Sequence, residues 1–379
     1  MAVPQQLALN GDGLDIEDSK FLQDQIITYI GNKRALLPFI GRAVEEVKRR
    51  LAKQKLVLLD LFSGTGVVSR YFKQHAEHIT ANDLERYSFV TNSCYLSNRK
   101  QLDGYDLADA LNWLTSEIRR DFAPGFIAEL YAPSQDHCIA PDERVFYTRR
   151  NACYLDTARQ KISALPGSLQ PYFLAPLLAK ASVHANTSGV FKGFYKSRNG
   201  IGQFGGNGQD ALSRIMRDIE LPMPVFSRFE CDVAIHREDA NALVDSVSTE
   251  FDLAYFDPPY NQHPYGSNYF MLNLLADYRR PEEISEVSGI PVNWNRSAYN
   301  KRGFAQEALF DAVERCKSKF VLISYNSEGF VAHGSFLEKL SALGATTTLE
   351  TAYNTFRGSR NLSGRSLHVT EFLYLLEKR

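Results

Sequence analysis

Leu56-Val57-Leu58-Leu59-Asp60-Leu61-Phe62-Ser63-Gly64-Thr65-Gly66 carries a change of period. Four apolar residues in a row make a short buried strand, two glycines break it, and Val67 to Gln74 returns to helical spacing. Upstream, apolar positions from Gln25 to Arg50 recur at helical spacing and end in a Lys/Arg-rich turn, which suits a helix C-terminus. Downstream, His78 to Ala81 reads as a second strand closing on Asn82-Asp83, with a helix through about Ser97. Two βα units in succession predict an α/β protein with a parallel sheet covered by helices. The alternation stops between Gln101 and Glu230, where helical stretches (Asp106 to Arg120, Leu169 to His184, Asp210 to Ile219) are separated by Pro/Gly turns and a Gly/Asn cluster at 199–208. Strands resume at Val233 to Ile235, Phe251 to Phe256 and Phe320 to Ser324, and Thr346 to Ala352 with His368 to Leu376 reads as a C-terminal antiparallel hairpin. The expectation is one catalytic domain from 1–100 and 231–379, carrying an inserted, mainly helical domain at 101–230.

Composition bounds the rest. A chain of 379 residues with 44% hydrophobic and 23% charged side chains can bury a sizeable core, which excludes wholesale disorder and fibrous repeats. The net charge of -1 gives no global argument for nucleic acid or an anionic membrane, so charge must be read locally. No apolar run approaches the roughly 20 residues of a spanning helix. The start MAVPQQLALNGDGLDIEDSK lacks the basic flank and apolar stretch of a secretory signal, and cytoplasmic location is expected. Five cysteines without C-x-x-C or His at metal spacing indicate neither a disulfide framework nor zinc.

The chemistry sits at strand ends, where open parallel sheets bind ligands. Asp60 offers an acceptor beside Phe62, Ser63, Gly64 and Gly66, whose glycines allow close backbone approach. The dinucleotide fingerprint needs Gly or Ala where Ser69 stands, so a nicotinamide cofactor is disfavoured. Asp83, ending the next strand, can accept from vicinal ribose hydroxyls, and Leu84 can pack on an adenine face. Asp239, followed by Ala240, can accept from an adenine amine. Asp257-Pro258-Pro259-Tyr260 is the sharpest signal. Two prolines stop the strand and stiffen the turn, so the Asp257 carboxylate and the Pro258 carbonyl stand side by side as acceptors for one amino group. Tyr260 is then set to stack on a flat base.

These residues resemble the D12, Dam-like class of adenine-N6 DNA methyltransferases, in which cofactor motifs, a target-recognition insertion and a DPPY tetrapeptide follow in that order. The resemblance covers most of the chain and implies a Rossmann-like class I methyltransferase fold, S-adenosylmethionine as cofactor and flipping of an adenine out of double-stranded DNA. Tyr29-Ile30-Gly31-Asn32-Lys33-Arg34 looks like the family's aromatic-x-Gly-x-Lys motif, with Asn32 where Gly is usual, and implies that Tyr29, Asn32 and Lys33 help hold the methionine part. Asp60 to Gly66 looks like its D-x-F-x-G-x-G loop, Asp83 like its ribose-binding acid, and Asp257 to Tyr260 like its catalytic tetrapeptide. Asn186 to Phe191 and Tyr265-Gly266-x-Asn268-Tyr269 resemble stretches common in the subgroup.

Between Arg144 and Glu220, eleven Lys/Arg face four acids, interleaved with aromatics, in a chain whose remainder is therefore acidic. That placement predicts DNA contact by Lys192, Lys196 and Arg198, joined by Tyr265 and by Arg357 and Arg360 in the last polar turn. The expected protein is a monomeric, site-specific DNA adenine-N6 methyltransferase of a restriction–modification system. Its cognate endonuclease is expected to act separately, and neither a metal nor a membrane is involved. The rival readings are an RNA adenine-N6 methyltransferase and a non-catalytic DNA-binding protein on the same fold.

Overall fold

The computed structural model describes residues 17–24, 27–209, 211–354 and 368–379. Seven strands form one sheet: β1 (Leu56–Asp60), β2 (Ala76–Asn82), β3 (Asp232–His236), β4 (Phe251–Phe256), β5 (Ser318–Asn326), β6 (Gly344–Asn354) and β7 (His368–Lys378). Their order is β3-β2-β1-β4-β5-β7-β6. β1 to β5 run parallel, while β7 is antiparallel to both β5 and β6, as the C-terminal hairpin reading expects. Register brings Asp60 opposite Ala81 and Tyr255, and Asn82 opposite His236, so the parallel strands end along one edge. Because β7 runs the other way, its beginning lies on that edge too, with Glu371 opposite Asn326.

Side chains alternate between two cores, as the pleat requires. Leu56, Leu58, Leu253 and Leu322 pack with helices Leu37–Leu51 and Val67–Phe72 on one face. Leu59, Ala254, Val321 and Ile323 pack with helices Ala240–Ser246, Arg302–Arg315 and His333–Leu343 on the other. Each such fully buried aliphatic side chain contributes about 1.5–3 kcal/mol of transfer free energy.

The helix read over residues 25–50 starts late. Residues 27–33 form no helix, a 3-10 turn follows at Arg34–Leu36, and the α-helix opens at Leu37 with a proline at its start. Gly31, at φ +74°, breaks the helical path. Between Arg99 and Cys231 the described residues hold helices and no named strand. Helix Arg149–Ser163, absent from the sequence reading, is one of them. Its buried face includes Asn151, Asp156, Thr157 and Arg159, which hid its amphipathic pattern. Those polar groups serve neighbouring backbone: Asp156 accepts N–H groups of Gly125, Ile127 and Ala128 at the start of helix Phe126–Tyr131. The large core of these helices is continuous with Tyr87, Val90 and the 269–276 segment, so the two share one apolar cluster.

Candidate active site

The turn after β1 is stitched to the end of β2. Ser63 donates its N–H and its hydroxyl to the Asn82 carbonyl (2.8 and 2.9 Å), and the Gly64 N–H donates to Asp83 Oδ2 at 2.8 Å. Gly64 and Gly66 both have left-handed backbone (φ +52° and +79°), and a Cβ on Gly66 would meet Asn92 Oδ1 at 2.3 Å. Ser69, the residue that spoils a dinucleotide pattern, plays a structural part instead, donating its hydroxyl to Asp60 Oδ2 at 2.6 Å. Asp60 is fully buried, and its Oδ1 has no partner among the described residues. Burial pushes this carboxyl up to about 7 against the Ser69 hydrogen bond. A buried, unmatched acceptor of this kind fits a cationic ligand.

A pocket opens beside this turn, enclosing about 710 Å³ of space that runs out to open solvent, and the ends of β1, β2 and β4 wall it. Of the residues read as cofactor-binding, Tyr29, Phe62, Gly64, Asp83, Leu84, Asp239 and Ala240 line it. Asn32, Lys33, Asp60 and Ser63 line a smaller adjoining pocket, and Gly66 shapes the turn without lining either. Burial pushes Asp83 up to about 6, opposed by the N–H groups of Glu85 and Gly64 that its carboxylate accepts. Asp239 caps helix Ala240–Ser246 through its Oδ1. Glu85, which the sequence reading missed, is buried in the same wall with its Oε2 accepting amide N–H groups of Asn273 (2.5 Å) and Asn295 (3.0 Å). Burial pushes it up to about 7. Its only sequence signal was standing two residues after Asp83.

The Asp257–Tyr260 turn follows β4. Asp257 and Pro259 line the pocket beside the glycine turn. Tyr260 lines a second, open cleft of about 2000 Å³, which also takes in Lys20, Asn32, Arg34 and Lys180. Tyr29 and Gly31 line both spaces. The Tyr260 ring meets Tyr325 edge-on at 5.9 Å, and its carbonyl accepts the Phe330 N–H. Lys33, read as a methionine-holding residue, lines the smaller pocket and directs its ammonium to Asp257 Oδ1 (3.2 Å) and Glu371 Oε1 (2.6 Å). Burial drives Asp257 up to about 7, Lys33 opposes that, and Glu371 adds to it. Burial works against the Lys33 ammonium too, yet Asp257 and Glu371 carry it well above the usual lysine range.

Tyr265, read as a DNA contact, stands in the wall of the pocket beside the glycine turn. It stacks on Tyr29 (5.0 Å) and its hydroxyl donates to the Ile30 carbonyl, while the Tyr269 hydroxyl accepts the Ile30 N–H. These contacts clamp the N-terminal motif to the segment after the tetrapeptide.

The basic run between Arg144 and Glu220 is less available than its count implies. Arg144, Arg149, Arg159 and Arg214 donate to backbone carbonyls, Arg150 pairs with Asp218, and Lys161 with Glu117 and Asp121. Lys192, Lys196 and Arg198 are exposed, and Lys192 Nζ lies 3.4 Å from His263 Nδ1, just beyond the tetrapeptide. Asn186 organises the base of this loop, donating to the Val145 and Gln203 carbonyls and accepting the Gly205 N–H. Arg357 and Arg360 lie outside the described residues.

Three relatives align along nearly the whole chain. The Type II methyltransferase M.NlaIII of Neisseria lactamica is 26% identical over 363 residues, covering 93% of this chain and 99% of that protein. The Type II methyltransferase M.CviAII of Paramecium bursaria Chlorella virus 1 is 26% identical, covering 92% and 98%. Modification methylase StsI of Streptococcus sanguinis is 27% identical over 93% of this chain, which spans only 52% of that longer protein. Residues 29–288, which hold the cavity-lining turns and the Asp257–Tyr260 corner between the two spaces, match D12 class N6 adenine-specific DNA methyltransferase, and the chain belongs to that family.

Proposed function

We propose that the chain transfers a methyl group from S-adenosylmethionine to N6 of an adenine in double-stranded DNA. The observation that carries this reading is the tetrapeptide standing between two spaces, with Asp257 on the acid-lined side beside the glycine turn and Tyr260 on the open side. When bound, S-adenosylmethionine supplies a methyl group on a positively charged sulfur. Asp83 would accept from its ribose hydroxyls, Leu84 and Phe62 would flank its adenine, Asp239 would accept from the adenine amine, and Asp60 Oδ1 would accept from its ammonium group.

The target adenine has to leave the duplex, at a cost of a few kcal/mol, because its amine is otherwise paired and its faces are stacked. Stacking on Tyr260, about 1–3 kcal/mol, offsets part of that cost. With the base in the open cleft, Asp257 and the Pro258 carbonyl each accept one N–H of the exocyclic amine. Two acceptors lying off the ring plane would draw the nitrogen toward a pyramidal shape and free its lone pair to attack, and the N–H proton displaced by the new N–C bond would leave along one of these hydrogen bonds to solvent. Pro259 keeps the turn rigid while this happens.

Residues 101–230 act in this reading as the target-recognition domain, with Lys192, Lys196 and Arg198 on DNA phosphates. The names of the relatives support a modification enzyme of a restriction–modification system; in this reading its endonuclease is a separate protein. A monomer suffices, since both spaces are built from one chain. No helix among the described residues is long and apolar enough to cross a membrane. Incubation with tritiated S-adenosylmethionine should label duplex DNA at N6-methyladenine, and structured RNA should not compete. Labelling of RNA in preference to the duplex would overturn the substrate assignment.

A further inference from the structure

Behind the Asp257–Tyr260 turn lies a buried polar chain in which Lys33 and Asp257 belong to sequence motifs and Ser324 and Glu371 do not. Ser324 on β5 donates its hydroxyl to Glu371 Oε1 at 2.8 Å, and Lys33 donates to the same oxygen at 2.6 Å. Lys33 then reaches Asp257 Oδ1 at 3.2 Å. Lys33, Ser324 and Glu371 are 5%, 0% and 1% exposed. A carboxylate buried this deeply is costly, and an apolar residue of similar volume would often stabilise a strand in the same place as well or better. Its retention points to a role other than stability. Lys33 belongs to the non-helical segment after Gly31, and a lysine side chain left unanchored samples many rotamers. Glu371 is anchored by the ladder to β5, where it faces Asn326.

We propose that Glu371 is a positioning residue for methyl transfer: it seats the Lys33 ammonium, Lys33 holds one oxygen of Asp257, and the other oxygen is left aimed at the target amine. The shorter contact of Lys33 is with Glu371, so the sheet, through Glu371, sets where the ammonium stands. The inference rests on the reading of Asp257 as the amine acceptor. The charged and titratable groups around Asp257 are Lys33 from the N-terminal segment, Asp60 on β1, Tyr255 on β4, Tyr260 and Tyr265 after it, and Glu371 on β7.

The test compares Glu371→Ala, Glu371→Gln and Lys33→Met in the full chain. It measures kcat on duplex DNA, kcat/KM across pH, and S-adenosylmethionine affinity by calorimetry. Glu371→Ala should lower kcat by about ten- to a hundredfold, the scale of a misplaced catalytic group, with cofactor affinity close to wild type. Glu371→Gln keeps an acceptor for Lys33 and should recover most of kcat. By removing a negative charge it should also move the acid limb of kcat/KM to lower pH, while Lys33→Met moves it to higher pH. A purely structural Glu371 would instead lose kcat, cofactor affinity and melting temperature together in Glu371→Ala, without the selective loss of kcat that Glu371→Gln restores. An unmoved limb in Glu371→Gln overturns the proposal, even where Glu371→Ala fails to fold. Wild-type kcat in a folded Glu371→Ala overturns it too. Full activity in Asp257→Ala would instead break the acceptor reading on which it rests.

Discussion

The two spaces that meet at the Asp257–Tyr260 turn differ in sign. The pocket beside the glycine turn is lined by five acids (Asp83, Glu85, Glu238, Asp239 and Asp257) and, among the described residues, by no Lys or Arg. The open cleft is lined, among the described residues, by Lys20, Arg34 and Lys180 against the single acid Asp24. A net charge of -1 conceals this division, because the two signs cancel over the chain but not over either cavity. The acid-lined side suits a ligand carrying positive charge, and the basic side suits a polyanion. Held apart by the turn, the two partners can be bound independently, and substitutions on the two sides should have separable effects.

The largest effect is expected on the dividing wall itself. Asp257→Ala should lower methyl incorporation into duplex DNA by about 10²–10³-fold or more, the scale of losing one aligned group at the reacting atom. Calorimetric cofactor affinity should hold near wild type. On the acid side, Asp83→Ala removes hydrogen bonds to a charged acceptor worth about 1.5–3 kcal/mol, so cofactor affinity should fall by ten- to a hundredfold while DNA affinity is retained. A shift in DNA affinity of the same size would mean that the two spaces are not independent. On the basic side, Lys180→Glu should weaken duplex binding and reduce the salt slope of log K by about one for a lost phosphate contact, leaving the cofactor titration unchanged.

The smallest effect is on stability. Asp60, Asp83, Glu85 and Asp257 are all raised by burial, to about 7, 6, 7 and 7. The folded chain therefore binds protons that the unfolded chain has released, and stability falls as pH rises from about 4 through about 7. The melting temperature of the cofactor-free protein should decline over that window. Asp60→Asn should flatten the decline, raising the melting temperature by a few degrees at pH 8 while weakening cofactor binding. A melting temperature that climbs over the same window would contradict the burial argument.

Much of this was legible in the chain because it is local. A strand-sized apolar run, a glycine turn and an acid at the strand end lie within eleven residues at Leu56–Gly66. The Pro-Pro corner after β4 declares its stiffness in four. Other features misled for equally physical reasons. The basic count of the insertion overstated its free charge, since four of those arginines donate to backbone carbonyls, a use that composition cannot register. The helix Arg149–Ser163 went unread because its buried face is partly polar, satisfied by neighbours distant in sequence. Tyr265, read as a DNA contact, stacks on Tyr29 in the cavity wall, a contact between residues far apart in the chain.

By itself, then, the sequence determined the strand ends, the order of the motifs and the chemical types at the reacting corner, because each depends on residues adjacent along the backbone. Only the tertiary structure decided that Lys33 pairs with Asp257, that Glu85 joins the cavity wall, and that Glu371 meets Lys33 across 338 residues of chain. The reversal of β7 brings that acid to the reactive edge, and a pairing created by strand direction leaves no period or spacing in the chain for a reader to find.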